Sequence, residues 1–411
     1  MAVTEPIHHD AIILGGGLVG SALAIALARH GLTAALVDRD DPARWTDPGF
    51  DGRVSAISSS SLALFDALGV GDTLRAVGSP IMRIEVRDQL KPGELSFAPG
   101  SDEPPLGWMV ENSDLRRILH EAARDADGVT LFMPAGVTAR DIDAHAARVT
   151  LADGVRLAAP LLVAAEGRGS ATRKAAGIGL INWGYNHVAQ VVAIRHERPH
   201  NDTAWEIFYE NGPFAILPMR DDAEGRHRSA IVWSVAAKDA AGYAALSDRG
   251  LAAEIGRAMN GLLGAVELAG PRSHWPLGFQ RAGRMIDARL ALVGDAAHGI
   301  HPIAGQGVNL GFRDVAALTE ILVEGARLGM DLGDAQLLDR YARWRASDVA
   351  AVSLASDGFY RLFGVKGGLA SLIRRTGMAA VDRLPPLKRF FIDEARGTAG
   401  KLPKLLTGVP V

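Results

Sequence analysis

The 411-residue chain has no cysteine. That absence excludes disulfides, thiolate nucleophiles, iron–sulfur clusters and cysteine-ligated zinc, and it suits a reducing, cytoplasmic setting. The first ten residues carry no lysine or arginine and so lack the basic start of a secretion signal. Net charge is only −3, which gives no field to gather nucleic acid, and no nucleic-acid partner is expected. What is present is ordinary for a folded protein: 48% hydrophobic and 22% charged residues. At this length more than one core is expected.

Charge is also absent from Ala11 to Ala28, a run long enough to suggest a membrane span. The spacing of Gly16 and Gly20 could serve as a membrane helix–helix face. Three consecutive glycines, Gly15 to Gly17, argue against a continuous helix. A strand, a tight turn and a buried helix explain the run better. Ala11–Leu14 reads as a buried parallel strand, Ser21–His30 as a helix stopped by Gly31, and Thr33–Val37 as a second strand ending at Asp38.

Gly15, Gly17 and Gly20 have the G-x-G-x-x-G spacing of a dinucleotide turn. Gly15 permits the turn, Gly17 lets backbone approach a pyrophosphate, and Gly20 lets helix and strand pack closely. Unpaired N–H groups at the helix start suit phosphate, and Asp38 suits a ribose diol. The pattern alone does not separate NAD from FAD. No second complete copy follows, so one dinucleotide is held this way.

A related arrangement recurs late in the chain. Arg289–Val293 reads as a strand, then come Gly294 and Asp295, then the glycine-rich run His301 to Gly311, then apolar residues at helical spacing. A polar ligand meeting a helix start is again implied. His298 and His301 lack further ligands at metal spacing, so no metal is expected and both read as packing residues. Trp205, Phe208, Tyr209, Phe214 and Trp233 read first as strand core, with pocket lining the alternative. From Gly358 to Val411 there are ten basic and three acidic residues among apolar ones. A helical tail packed on the body is the plainer reading, and contact with an anionic membrane or an acidic partner the sharper one.

These motifs resemble the group A FAD-dependent aromatic hydroxylases, typified by 4-hydroxybenzoate hydroxylase, and the His301–Gly311 run resembles their ubiquinone-biosynthesis branch. Gly52–Ile57, Val110–Asn112, Gly212–Pro218 and Ile231–Ser234 are similar to further segments of that branch. The resemblance implies an α/β fold: a Rossmann-type FAD-binding domain (1–75, 100–180 and 272–325), an inserted β-sheet substrate domain (76–99 and 181–271) and a helical C-terminal region (326–411). It implies that Gly15, Gly17, Gly20 and Asp38 hold the ADP half of FAD, with Arg53 by the pyrophosphate and flavin. It also places Asn112 on the ribityl side, Val137 at the adenine and Asp295 on the ribityl or ribose hydroxyls. Pro302, Gly305, Gly307 and Asn309 would border the isoalloxazine ring. One departure stands out: the family's Asp-Gly reads Glu166-Gly167 here.

The activity implied is hydroxylation of a ubiquinone precursor's ring with NAD(P)H and O2, through a flavin hydroperoxide. A helix start near Gly305 would stabilise charge on the reduced flavin. No catalytic acid or base stands out in the sequence. The partner implied is a prenylated phenol or quinone precursor, with peripheral contact of the basic C-terminus with the membrane or a quinone-biosynthesis complex as the alternative to a packed tail. The rival readings are a hydroxylase of a small soluble phenol and a flavin-bearing assembly subunit without turnover.

Overall fold

The structure, a computed structural model, describes residues 5–44, 52–89, 94–299, 307–364 and 384–411. Strands Ala11–Leu14, Ala34–Val37 and Leu161–Ala164 are buried at every residue. That fits the middle of a parallel sheet covered on both faces. They lie in a six-stranded sheet ordered Ile286–Asp287, Leu290–Leu292, Leu161–Ala164, Ala11–Leu14, Ala34–Val37 and Val129–Phe132. All neighbours in it are parallel except the outermost pair at Ile286.

Helix Leu18–Arg29 follows the first strand and helix Gly307–Arg327 follows the last glycine-rich run. Ala22–Leu27 of the first and Phe312, Val315–Leu318 and Ile321–Val323 of the second fall in one buried cluster with the sheet. The charge-free stretch is therefore a strand, a turn and a helix. Among the described residues no helix is long and apolar enough to cross a membrane.

The second large layer is a mostly antiparallel sheet. Its order is His298–Gly299, Ser273–Ala282, Leu180–His196, His227–Ala236, Gly212–Met219, Thr203–Tyr209, Arg83–Asp88 and Glu94–Phe97. One face packs on helix Asp248–Met259 through Trp205, Ile207, Phe214, Ile216, Ile231 and Trp233. Four of the five aromatics singled out in the sequence, including Tyr209, thus belong to or pack against a core; Phe208 is buried on the other face. Strand Ser273–Ala282 pairs with Leu180–His196. The long strand needs backbone partners on both edges, and His227–Ala236 supplies only one.

A three-stranded sheet, ordered Val54–Ser58, Gly107–Glu111 and Ser79–Ile81, sits between the layers. Arg228 of the large sheet reaches it by donating to Glu111 at 2.9 Å. The C-terminal region contains helices Ala335–Gly364 and Pro385–Arg396. Several of its basic residues are engaged. Arg389 and Arg396 pair with Glu103, Lys404 with Glu324, and Lys401 lies over the Trp344 ring.

Candidate functional site

The first glycine turn is shaped by close approach. Gly15 has φ +109°, and a Cβ there would overlap the Ala165 carbonyl. A Cβ on Gly20 would overlap the carbonyl oxygen of Gly15. Gly17 differs, because a Cβ there would meet nothing within 4 Å. It caps helix Leu18–Arg29 without a side-chain hydrogen bond, so the first N–H groups face open space. Two glycines close the turn and one leaves room beside a helix start, the cradle an anionic pyrophosphate needs. Asp38 accepts from the Gly16 N–H at 2.6 Å. The Asp38 carbonyl accepts from Ala135, two residues before Val137, so the adenine-side candidate runs beside the ribose-side one.

The second turn touches the first. Gly294 (φ +57°) and Gly311 both abut Val19, and a Cβ on Gly311 would come within 2.7 Å of the Val19 side chain. Asn309 then joins helix Gly307–Arg327 to strand Val54–Ser58. Its Oδ1 accepts from the Ser58 N–H at 3.0 Å and its Nδ2 donates to Ala56 O at 2.8 Å. At the other end of that strand the Arg53 carbonyl accepts from the Asn112 N–H at 3.0 Å. Ser55 Oγ donates to Asn112 Oδ1 at 2.6 Å. Gly15, Gly17, Gly20, Asp38, Arg53, Asn112, Asp295, Gly307 and Asn309 thus lie along one continuous set of contacts. Pro302 and Gly305 lie outside the described residues.

Asp295 is exposed to solvent, yet burial raises its carboxyl pKa, with Arg168 and His298 pulling the other way. Around it the turn is clamped by groups that the sequence did not single out. Asp314 Oδ2 accepts from the Gly294 N–H at 2.8 Å and contacts His298 Nε2 at 2.7 Å, while Asp314 Oδ1 accepts from Arg345 at 2.6 Å. Arg345 also pairs with Asp348, which accepts from Arg313 at 3.2 Å. Tyr341 donates to Leu292 O, Arg173 to Ala296 O and Gln280 to Asp295 O. His298 is therefore a partner of a buried carboxylate. Among the described residues no group of three or more His, Asp or Glu could hold a metal.

The FAD binding domain family matches residues 8–355. The chain is 42% identical over 405 residues to ubiquinone hydroxylase UbiL of Rhodospirillum rubrum, covering 98% of this chain and 93% of that one. It is 34% identical to 3-demethoxyubiquinol 3-hydroxylase of Escherichia coli, covering 94% of this chain and 97% of that one. The chain belongs to the FAD-dependent aromatic hydroxylases. The fold agrees: p-nitrophenol 4-monooxygenase PnpA of Pseudomonas putida superposes with TM-score 0.78 at 15% identity, covering 97% of this chain and all of that one. This hydroxylase is an FAD-dependent monooxygenase of the α/β type that its motifs resemble.

Glu166, the departure from the family pattern, is fully engaged. It accepts from Arg140 at 3.2 Å, from Ser170 Oγ at 2.5 Å and from the Thr172 N–H at 3.0 Å. The extra methylene carries its carboxylate onto the start of helix Ala171–Ala175, where a negative charge is favourable.

The sequence also offered no signal for the Asp314–Arg345 pair beyond charges at positions otherwise filled by core residues. Burial favours the neutral form of Asp314, but His298 and Arg345 outweigh it and hold the carboxyl below its ordinary pKa. Charges of this kind are costly to bury unless paired, which is why they occur as a set.

Proposed function

We propose that this hydroxylase adds oxygen to the aromatic ring of a prenylated phenol on the route to ubiquinone, with NAD(P)H as transient reductant and O2 as co-substrate. The observation that carries the reading is the meeting of the two glycine turns at Val19, with the exposed Asp295 carboxylate beside them. Gly15, Gly17, Gly20 and Asp38 hold the ADP half of FAD; Val137 offers its backbone to the adenine. Arg53 and Asn112 stand at the pyrophosphate and ribityl side, and Asp295 takes ribityl or ribose hydroxyls. The start of helix Gly307–Arg327 borders the isoalloxazine ring, with Pro302 and Gly305 in the same role. Asn309 fixes that helix start against strand Val54–Ser58. FAD, when bound, supplies the oxygen-activating chemistry; the chain positions the ring and keeps water out.

Both relatives named above carry ubiquinone-pathway names and match along nearly their whole length, which favours a prenylated over a small soluble phenol. A greasy substrate also suits peripheral contact with the membrane through the basic C-terminal region. The test uses the purified, FAD-loaded protein with NADH or NADPH and either 4-hydroxybenzoate or a 2-prenylphenol. Oxygen uptake should rise with the prenylated phenol, and mass spectrometry should show one added oxygen. Turnover with 4-hydroxybenzoate alone would select the soluble-phenol reading. FAD that no nicotinamide reduces would select the assembly-subunit reading.

A further inference from the structure

Three imidazoles come together where strand Leu180–His196 finishes. His196 pairs in register with His227, which opens strand His227–Ala236. Their ring centres are 6.0 Å apart, and His200, in the loop that follows His196, lies 6.0 Å from it. His196 and His200 are buried. The Nε2 of His200 stands 2.9 Å from the Met219 carbonyl oxygen, and its Nδ1 accepts from the Asp202 N–H at 3.0 Å. A carbonyl can only accept and an amide N–H can only donate, so Nε2 carries the ring's proton and Nδ1 keeps a lone pair. A second proton on this ring would set N–H against N–H.

What this ring holds is a tight turn. Asn201 and Asp202 have φ +49° and +54°, and the Thr203 N–H donates to the His200 carbonyl across them. Left-handed backbone outside glycine persists where the surroundings fix it, and Asn and Asp tolerate it best. The Asp202 carbonyl in turn accepts from Met82 at 2.8 Å and from Arg83 at 3.3 Å. Those residues lead into strand Arg83–Asp88, which with Glu94–Phe97 forms the last two strands of the sheet. Val86, Leu95 and Phe97 of that pair fall in one cluster with Val54, Ala56 and Leu217, on the strand that Asn309 joins to helix Gly307–Arg327. Asp202 Oδ1 lies 4.0 Å from His200 Nδ1, within reach of a protonated ring that has given up the N–H bond.

We propose that His200 is a pH-sensitive latch. Neutral, it fastens the Asn201–Asp202 turn and the start of strand Arg83–Asp88; protonated, it turns to the Asp202 carboxylate and releases them. Imidazole changes charge between about pH 5 and 8, so mild acid is the trigger. Its two neighbours can take a proton without losing a bond. His227 Nδ1 already faces the Asp221 carboxylate at 3.1 Å. His196 lies 2.8 Å from the Arg198 carbonyl and 2.9 Å from Ser229 Oγ, a hydroxyl that can rotate to accept; burial lowers its pKa. The other charged groups at this end are committed. Asp222 takes Arg195 and Arg226, Arg228 pairs with Glu111, and Arg220 donates to the Ala76 carbonyl. Arg198 donates to the Gly261 carbonyl, Glu197 accepts from the Ala265 N–H, and Arg83 lies 3.9 Å from Glu85.

The test follows amide hydrogen exchange of the FAD-loaded protein by mass spectrometry from about pH 5 to 8. Rates are expressed as protection factors, so that the intrinsic pH dependence of exchange drops out. One proton coupled to opening changes the opening constant at most about tenfold per pH unit. Wild-type protection in segments 78–89 and 197–206 should fall roughly tenfold between about pH 7.5 and 5.5, while strands Ala11–Leu14 and Leu161–Ala164 stay level. His200→Gln, which cannot titrate, should remove that slope whatever its protection at neutral pH. Asp202→Asn keeps the backbone N–H and suits the left-handed turn but removes the carboxylate, so the fall should begin at lower pH. A flat wild type, a slope kept in His200→Gln, or an equal fall across the parallel sheet overturns the latch. If His200→Gln does not fold, an unmoved midpoint in Asp202→Asn overturns it as well. None of these readouts needs turnover, so the hydroxylase reading stands or falls separately.

Discussion

The turns at Gly15–Gly20 and Gly294–Ala296 meet on the same residue, Val19, but they are held by different means. The first contains no charged residue; it closes because Gly15 and Gly20 have no side chain where backbone must pass. The second depends on what surrounds it: Asp314, Arg173 and Gln280 converge from three segments onto its backbone groups, and Tyr341 holds the Leu292 carbonyl just before it. A turn made by missing side chains should fail when atoms are added. A turn made by buried partners should fail when one of them is neutralised.

The largest effect should come from adding a methyl group to the first turn. Gly20→Ala places a Cβ on the Gly15 carbonyl oxygen, which no rotamer can relieve. The expected result is protein that folds poorly and retains no FAD, read from soluble yield and flavin absorbance. Wild-type flavin content in Gly20→Ala would break the comparison on its first side.

Next in size is Asp314→Asn, which leaves Arg345 short of one buried partner. Breaking a buried pair costs roughly 3–5 kcal/mol. The pH dependence has a definite sign. His298 and Arg345 hold the Asp314 carboxyl below its ordinary value of 3.8 despite burial. A depressed folded-state pKa gives stability that is present above the unfolded value and lost as pH falls through the folded one. The gap between wild type and Asp314→Asn in urea unfolding should therefore be full at pH 7 and shrink below about pH 4. A gap that widens in acid would contradict the pairing.

These two turns also differ in how far the sequence discloses them. Gly15, Gly17, Gly20 and Asp38 are visible because a backbone-built site is written in nearby residues with set spacing. Strand, turn and helix follow from the same stretch, and the parallel sheet follows from runs such as Ala11–Leu14. Asp295 was legible from its own strand and glycine context. Its supports were not: Arg345 lies 31 residues from Asp314, and only folding makes them neighbours. Strand Ser273–Ala282 joined the large sheet because pairing, which local pattern does not encode, decided its place.

A smaller effect separates the two glycine roles inside the first turn. Gly17 has open space where its side chain would be, so Gly17→Ala should fold with Tm within a few degrees of wild type. Its methyl group would instead stand in the space assigned to the pyrophosphate. FAD affinity should fall about tenfold, some 1.4 kcal/mol, by titration of the apoprotein. Unchanged affinity would mean that the pyrophosphate lies elsewhere.

The smallest change in stability, and the one with the opposite sign, belongs to Asp295. It sits one residue from Gly294, whose N–H Asp314 holds, yet burial raises the Asp295 carboxyl pKa where Asp314 is lowered. A raised folded-state pKa means that the ionised carboxylate disfavours the fold, so relative stability declines as pH rises through that value. Removing the charge should relieve this cost. Apo Asp295→Asn should be at least as stable as apo wild type at pH 7, with the difference vanishing below about pH 4, while FAD is retained less well. Destabilisation at pH 7 would make Asp295 another support of the turn. The expected result would make it the part of the turn kept for a ligand, with Asp314 the part kept for the fold.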